Sequence, residues 1–245
     1  MDLVVCIKRV PDSAARIKVG ADGKSIDPGG VDFVISPYDE MALERALQIK
    51  EEKGGTVTVV CLGPAEAGKE IRQALAMGAD KALHLKDAGG GRGPLGVAKL
   101  LAEAVGGLPH DAVLFGRQAI DSDNGAVGVL VAGLLGLPCV TLCTKIDLDA
   151  GKGTVHRESE AGTEVIEVKL PAVFTAQRGL AEPRYPSIKG IMMAKKKPID
   201  ERDVPPPSGR LQVEKLEPPA ERKGGRKVAD AKELARLLRE EAKVI

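Results

Sequence analysis

The sequence predicts an α/β fold: an open, mostly parallel twisted sheet with helices on both faces, Rossmann-like, extended by an antiparallel hairpin and a C-terminal arm. Two observations carry this. Aliphatic runs of strand length recur at residues 3–7, 57–62, 82–85, 112–115, 139–142 and 172–176, with amphipathic stretches between them. Strands buried on both faces read as continuous apolar runs, and strands alternating with helices pair in parallel. Later the pattern changes: residues 154–157 and 164–169 alternate polar and apolar side chains around Ser159-Glu160-Ala161-Gly162. Such alternation predicts a hairpin with one wet face.

Each remaining element has a local signal. Between the first two strands, Asp22-Gly23 lies between residues 17–19 and 25–27, a hairpin excursion. The first helix is predicted from Ser36 as N-cap, Pro37 as first residue and Asp39 as the reciprocal capping acid, ending at Gly54-Gly55. Its apolar stripe is Ala42, Leu43, Ala46 and Leu47. A second helix follows Leu62-Gly63-Pro64, carries Ile71, Ala74 and Leu75, and stops at Gly78. A third runs from Pro94 through Leu101. Gly89-Gly90-Gly91-Arg92-Gly93 before it reads as a loop, because no strand leads straight into it and no Gly-Lys-Ser/Thr follows. A fourth helix is expected after Asn124.

From Pro198 onward proline and charge dominate, which predicts a division into residues 1–200, a nucleotide-binding domain, and residues 201–245, an arm. A terminal helix over 228–243 places Leu234, Leu237, Leu238 and Ala242 on one face. Too short to hold itself in water, it must dock on this domain or another subunit.

Composition narrows the function. Lys+Arg number 36 and Asp+Glu 35, so there is no basic excess for the phosphate backbone of a nucleic acid. Aromatics make up 2% with no Trp, so the core is aliphatic and a base-stacking platform is excluded. Cys6, Cys61, Cys139 and Cys143 contain no C-x-x-C, and His84, His110 and His156 lie far apart, so no metal site is expected. No apolar stretch reaches the roughly 20 residues of a bilayer span. With no signal peptide visible after Met1, the expectation is a soluble cytoplasmic protein without membrane insertion.

In an open parallel sheet, ligands bind beyond the carboxyl ends of the strands where the strand order reverses. The segments emerging there are residues 8–12, 62–64 and 116–125. The third combines a glycine at each end, polar side chains and a helix N-terminus whose free N–H groups suit phosphate. Asp121 and Asp123 repel phosphate, so they are expected to hold ribose hydroxyls, cap the helix or brace the loop. On this ground alone a nucleotide pocket and an ordinary long loop both stay open. No nucleophile with a His partner, no split carboxylate pair and no phosphate-binding glycine motif stands out, so no catalytic residue is predicted and the chain is not expected to be an enzyme.

The strings themselves resemble a known family. Val5-Cys6-Ile7-Lys8-Arg9-Val10, Ser36-Pro37-Tyr38-Asp39-Glu40, Ala74-Leu75-Ala76-Met77-Gly78-Ala79-Asp80 and Gly116-Arg117-Gln118-Ala119-Ile120-Asp121 are similar to the small (beta) subunit of electron transfer flavoprotein, over almost the whole chain. Most specific is Glu182-Pro183-Arg184-Tyr185-Pro186-Ser187-Ile188 followed by Ile191-Met192-Met193-Ala194-Lys195-Lys196-Lys197.

The resemblance implies an electron-carrier heterodimer with a larger alpha subunit, sharing FAD near the subunit boundary, and a structural AMP in this subunit's adenine-nucleotide pocket. The matching positions are Cys6, Ser36, Pro37, Tyr38, Asp39, Leu62, Gly116, Arg117, Gln118, Ala119, Ile120, Asp121, Ser122, Asp123, Asn124, Gly125, Ala126 and Val127. Electrons then pass from acyl-CoA or other flavin dehydrogenases to a membrane quinone oxidoreductase and the respiratory chain, as in fatty acid oxidation. The resemblance also implies a docking loop for the dehydrogenases: Glu182, Pro183, Arg184, Tyr185, Ile188, Ile191, Met192 and Lys195, with Ile188 as apolar anchor. The triplet at 195–197 either is a solvated face or steers acidic partners.

Two departures keep alternatives in view. Pro11-Asp12-Ser13 stands where single-flavin members carry an aromatic, and Tyr38-Asp39 with Pro186-Ser187-Ile188 is similar to bifurcating members that bind a second FAD in place of AMP. Residues 121–126 lack the Asp-Gly-Asp-Thr-Ala-Gln run of those members, so AMP is expected. A standalone nucleotide-binding module is the other alternative; it leaves the block at 182–197 and the arm unexplained.

Overall fold

A computed structural model describes residues 1–87, 92–206, 212–220 and 224–245. The strands are β1 (Asp2–Ile7), β2 (Arg9–Pro11), β3 (Phe33–Ile35), β4 (Thr56–Gly63), β5 (Lys81–Lys86), β6 (Ala112–Gly116), β7 (Cys139–Asp149), β8 (Lys152–Ser159), β9 (Gly162–Lys169), β10 (Ala172–Ala176) and β11 (Ile199–Asp203). The helices are α1 (Pro37–Lys53), α2 (Gly68–Met77), α3 (Pro94–Gly106), α4 (Val127–Leu135), α5 (Ile188–Ala194) and α6 (Ala231–Glu240), and a 3-10 turn, Ala65–Ala67, leads into α2.

One sheet runs in the order β11-β5-β4-β1-β6-β10-β7-β8-β9. Its strands from β11 to β7 are parallel; β8 and β9 are antiparallel additions. Alternation along β1 divides the core. Leu3, Val5 and Ile7 pack on one face with Leu43 of α1, Ile71 of α2 and Ala194 of α5. Val4 and Cys6 face the other with Leu101 of α3 and Val131 of α4. Every side chain of residues 3–7 is thus buried, which is why the strand is a continuous apolar run.

The structure corrects four expectations about the extent of elements. The Asp22-Gly23 turn forms, with the Asp22 carboxylate accepting from the N–H groups of Lys24 and Ser25, but its flanks make a single antiparallel bridge, Val19 to Ile26, instead of strands. The excursion is closed at its base by pairing of β2 with β3. The strand predicted to end at 142 runs on to Asp149 as β7, because its second half pairs with β8. The terminal helix is shorter than 228–243: Asp230 caps it, accepting from the Glu233 N–H at 2.8 Å.

The fourth concerns the start of the arm. Residues Ile199–Asp203 are no loose extension but an edge strand paired in register with β5, from Ile199 against Ala82 to Asp203 against Lys86. The division at residue 200 therefore falls inside a strand. Its charged sequence suits an edge, where one row of side chains stays in water; Glu201 pairs with Lys86 at 2.5 Å. The tract Gly89-Gly90-Gly91 lies outside the described residues, as do parts of the arm.

Candidate functional site

The chain passes from β1 to β4 on one side and later to β6 on the other, so the strand order reverses between β1 and β6. A cavity of about 360 Å³ opens at the carboxyl ends of these strands. Its floor is Cys6, Ile7, Leu62, Phe115 and Gly116; one wall is the loop after β6 with the first turn of α4, and the other is Gly63, Pro64, Asp87, Arg92, Pro94 and Val97.

Asp39 is the structural centre of this site. The β1–β6 pairing ends at Val5 against Leu114, and beyond it the N–H groups of Lys8 and Gly116 have no partner across that pair. The Asp39 carboxylate accepts both, each at 2.8 Å, and so ties the ends of β1 and β6 together. This overturns the capping box: the carboxylate does not return to Ser36, and the Ser36 side chain makes no capping bond, its Oγ lying buried without a partner. The sequence could not distinguish the roles, since an acid three residues beyond a serine is the spacing of a capping box and the bridged strand ends are distant in sequence. Burial pushes the Asp39 carboxyl up to about 7, against the lowering by the two N–H groups and the Lys8 charge; Asp121 adds to the rise.

Gly116 is dictated by the same contact. A Cβ there would lie 2.5 Å from Asp39 Oδ1 and 2.7 Å from Tyr38 Cβ, so only glycine lets the strand end reach the carboxylate. The following loop is braced by its own side chains. Asp121 pairs with Lys8 Nζ at 2.6 Å, and Gln118 Nε2 donates to Asp123 Oδ1 at 2.8 Å. Arg117 donates to the side-chain carbonyls of Gln118 and Gln177 and stands 5.8 Å from the centre of the Tyr38 ring. On the opposite wall Arg92 pairs with Asp87 at 2.6 Å. The loop delivers the chain to α4, whose N-cap residue, Ala126, supplies no side-chain cap. Its first N–H groups are left for water or a ligand, and Val127 and Gly128 line the cavity.

The segment at 182–197 forms a second surface. Arg184 donates to both oxygens of Glu44 at 2.8 Å and to Glu51 at 2.5 and 3.2 Å, clamping the segment on α1. Ser187 caps α5, accepting from the Gly190 N–H at 3.0 Å. Arg72 of α2 donates to the carbonyls of Ala194 and Lys197 at the other end. Outward from this frame point Tyr185 (96% exposed), Ile188 (81%), Ile191, Met192 and Met193.

A match to the electron transfer flavoprotein domain covers residues 25–207. The chain is 40% identical to the electron transfer flavoprotein subunit beta of Bacillus subtilis, over all of both chains. It is 39% identical to that of Homo sapiens, over 97% of this chain and 96% of the other. The chain belongs to the electron transfer flavoprotein beta-subunit family. Its family role is electron transfer, and a beta subunit implies an alpha-subunit partner. Among the described residues, no helix is long and apolar enough to cross a membrane.

Of the positions that resemble the family's pocket, Cys6, Asp39, Leu62, Gly116, Arg117, Gln118, Ala119, Ser122, Asn124, Gly125, Ala126 and Val127 line the cavity. Ser36, Pro37, Tyr38, Ile120, Asp121 and Asp123 are not among its lining; Asp121 and Asp123 brace the loop, one of the roles expected of them. Sequence reasoning placed Lys8, Gly63 and Pro64 at strand ends without assigning them to the site. Asp87 gave no signal, and Arg92 belongs to the tract at 89–93 that reads as a loop. In the second segment Arg184 faces inward to its carboxylates. Lys195 is exposed, whereas Lys197 turns in, its Nζ donating to the carbonyls of Leu75 and Ala79 at the end of α2. Burial lowers the Lys197 ammonium from its ordinary value.

Proposed function

We propose that this chain is the small subunit of a cytoplasmic heterodimeric electron carrier, sharing FAD with its alpha subunit and holding AMP in the switch-point cavity. Electrons would enter from acyl-CoA or other flavin dehydrogenases docked on the segment at 182–197 and leave to a membrane quinone oxidoreductase. The observation that supports the AMP assignment is the chemistry of the cavity wall. Backbone N–H groups of the α4 terminus, uncapped by any side chain, stand beside an apolar floor, a combination that suits one phosphate and an apolar base face. The volume, about 360 Å³, stands near the small end of the ~300–1,000 Å³ range of ligand sites, which favours a mononucleotide.

Bound FAD supplies the redox chemistry. The chain's own residues bind, orient and exclude water. Asp39 and Gly116 fix the distance between β1 and β6, Lys8 and Asp121 hold the loop over the cavity, and Arg184 holds Ile188 where a partner pocket can receive it. One exposed aliphatic anchor on a rigid frame suits a contact that must release after each transfer.

The test is to coexpress the chain with its alpha subunit, denature the purified complex and identify the released nucleotides by mass. One FAD and one AMP per heterodimer is the expected result. Two FAD without AMP would replace this reading by the bifurcating one, and release of no nucleotide would sink the pocket assignment.

A further inference from the structure

Asp39 is a carboxylate in the wall of a cavity whose opposite feature is a helix N-terminus suited to an anion. Both of its oxygens are engaged by main-chain donors, so it cannot turn away when an anion enters. The groups around it offer little relief. Lys8, from the end of β1, is already paired with Asp121 of the loop, and Asp121 itself adds negative charge. Cys6 of β1 and Cys61 of β4 also face it; burial raises both thiols, Cys61 to about 12, so they keep their protons and remain neutral.

An anionic ligand and an ionised Asp39 therefore share one cavity, with Asp39 itself buried, and there like charges repel more strongly than in water. Protonation removes that repulsion. It also turns one carboxyl oxygen into a donor, at the cost of weakening one of the two N–H bonds that hold the strand ends. Because burial already brings the carboxyl to about 7, a small further push by a phosphate suffices to load it near neutral pH.

We propose that Asp39 is a proton-linked positioning residue of the nucleotide pocket: ligand binding takes up a proton on its carboxyl, and nucleotide affinity falls as pH rises through neutrality. The inference rests on the nucleotide reading given above and assigns that site a pH response. The linkage follows the rule that whatever binds one protonation state better shifts the equilibrium toward it, and reciprocally.

The experiment uses the heterodimer depleted of nucleotide and titrated calorimetrically with AMP at about pH 7.5, in two buffers of different ionisation enthalpy. There the ligand's own second phosphate proton, with a pKa of about 6, is already off. The expected result is a fractional proton uptake on binding, and a dissociation constant that rises severalfold from about pH 6.5 to about pH 8.5. In Asp39→Asn, where the side chain no longer titrates, the uptake and the slope should both disappear. AMP binding to the unaltered complex with no proton uptake overturns the proposal, as does equal uptake in Asp39→Asn. Where that variant does not fold, Asp121→Asn takes its place: loss of a carboxylate that raises Asp39 should reduce the uptake at about pH 7.5, and an unchanged uptake overturns the proposal. Absence of any AMP binding refutes the nucleotide reading itself, and the linkage with it.

Discussion

At the switch-point cavity one carboxylate is buried to satisfy two main-chain donors, whereas at the segment 182–197 one guanidinium is committed to two carboxylates beside apolar side chains that face water. The cavity is part of the core: Asp39 is 7% exposed and both strand ends depend on it. The segment at 182–197 is fastened to the outside of α1 and α2 by polar contacts and by Ala194, while Tyr185, Ile188, Ile191, Met192 and Met193 stay exposed. Damage to the first should spread through the sheet, and damage to the second should stay local.

The strongest test of this contrast is Gly116→Ala. Its Cβ would sit 2.5 Å from Asp39 Oδ1, with backbone on the far side, and a loss of about 3 kcal/mol or more in urea unfolding is expected, with loss of bound nucleotide. A near-neutral result would mean that the β1–β6 bridge is dispensable. Next is the pH dependence of stability. The folded Asp39 carboxyl titrates at about 7 and the unfolded one at about 3.9, so its contribution is fully present below about pH 4 and is lost as pH rises to about 7. The group adds a downward slope of at most about 1.4 kcal/mol per pH unit in that window. Urea midpoints measured across it should fall less steeply in Asp39→Asn, and an identical slope would assign the effect to another group.

In the segment at 182–197, Arg184→Ala leaves Glu44 buried without its guanidinium. Breaking a buried pair costs roughly 3–5 kcal/mol, and the partial exposure of Arg184 reduces the expectation to about 2 kcal/mol. Arg184→Lys should not restore the loss, because an ammonium cannot bridge both acids. Full rescue by lysine would reduce the clamp to simple charge. Gly190→Ala sharpens the point. A Cβ there meets the Ala76 carbonyl oxygen at 2.5 Å, so α5 should lift from α2 at a cost of about 1 kcal/mol, detected as faster amide exchange confined to α5. Smallest in stability is Ile188→Ala, expected within about 0.5 kcal/mol of the parent. Its effect belongs in partner kinetics: reduction by a dehydrogenase should slow while nucleotide content is unchanged, and an unaltered rate would remove Ile188 as anchor.

Much was legible in the sequence. Aliphatic runs located the parallel strands, alternation located the β8–β9 hairpin, and glycines and prolines bounded α1 and α2, because these signals depend on burial and local backbone geometry alone. The loop at 116–125 was recognisable for the same reason, as polar residues and glycines between a buried strand and a helix. Side-chain partners were not legible. Asp39 looks like a capping acid until β1 and β6 are brought beside it, and residues 199–203 look like an arm until β5 offers an open edge. Arg184 and Lys197 look like solvent-facing charges until α1 presents Glu44 and the end of α2 presents its carbonyls. Local sequence fixes which residues are buried or turn the chain; where a charge finds its counterpart depends on segments up to 140 positions apart, which only the assembled sheet and its helices bring within hydrogen-bond reach.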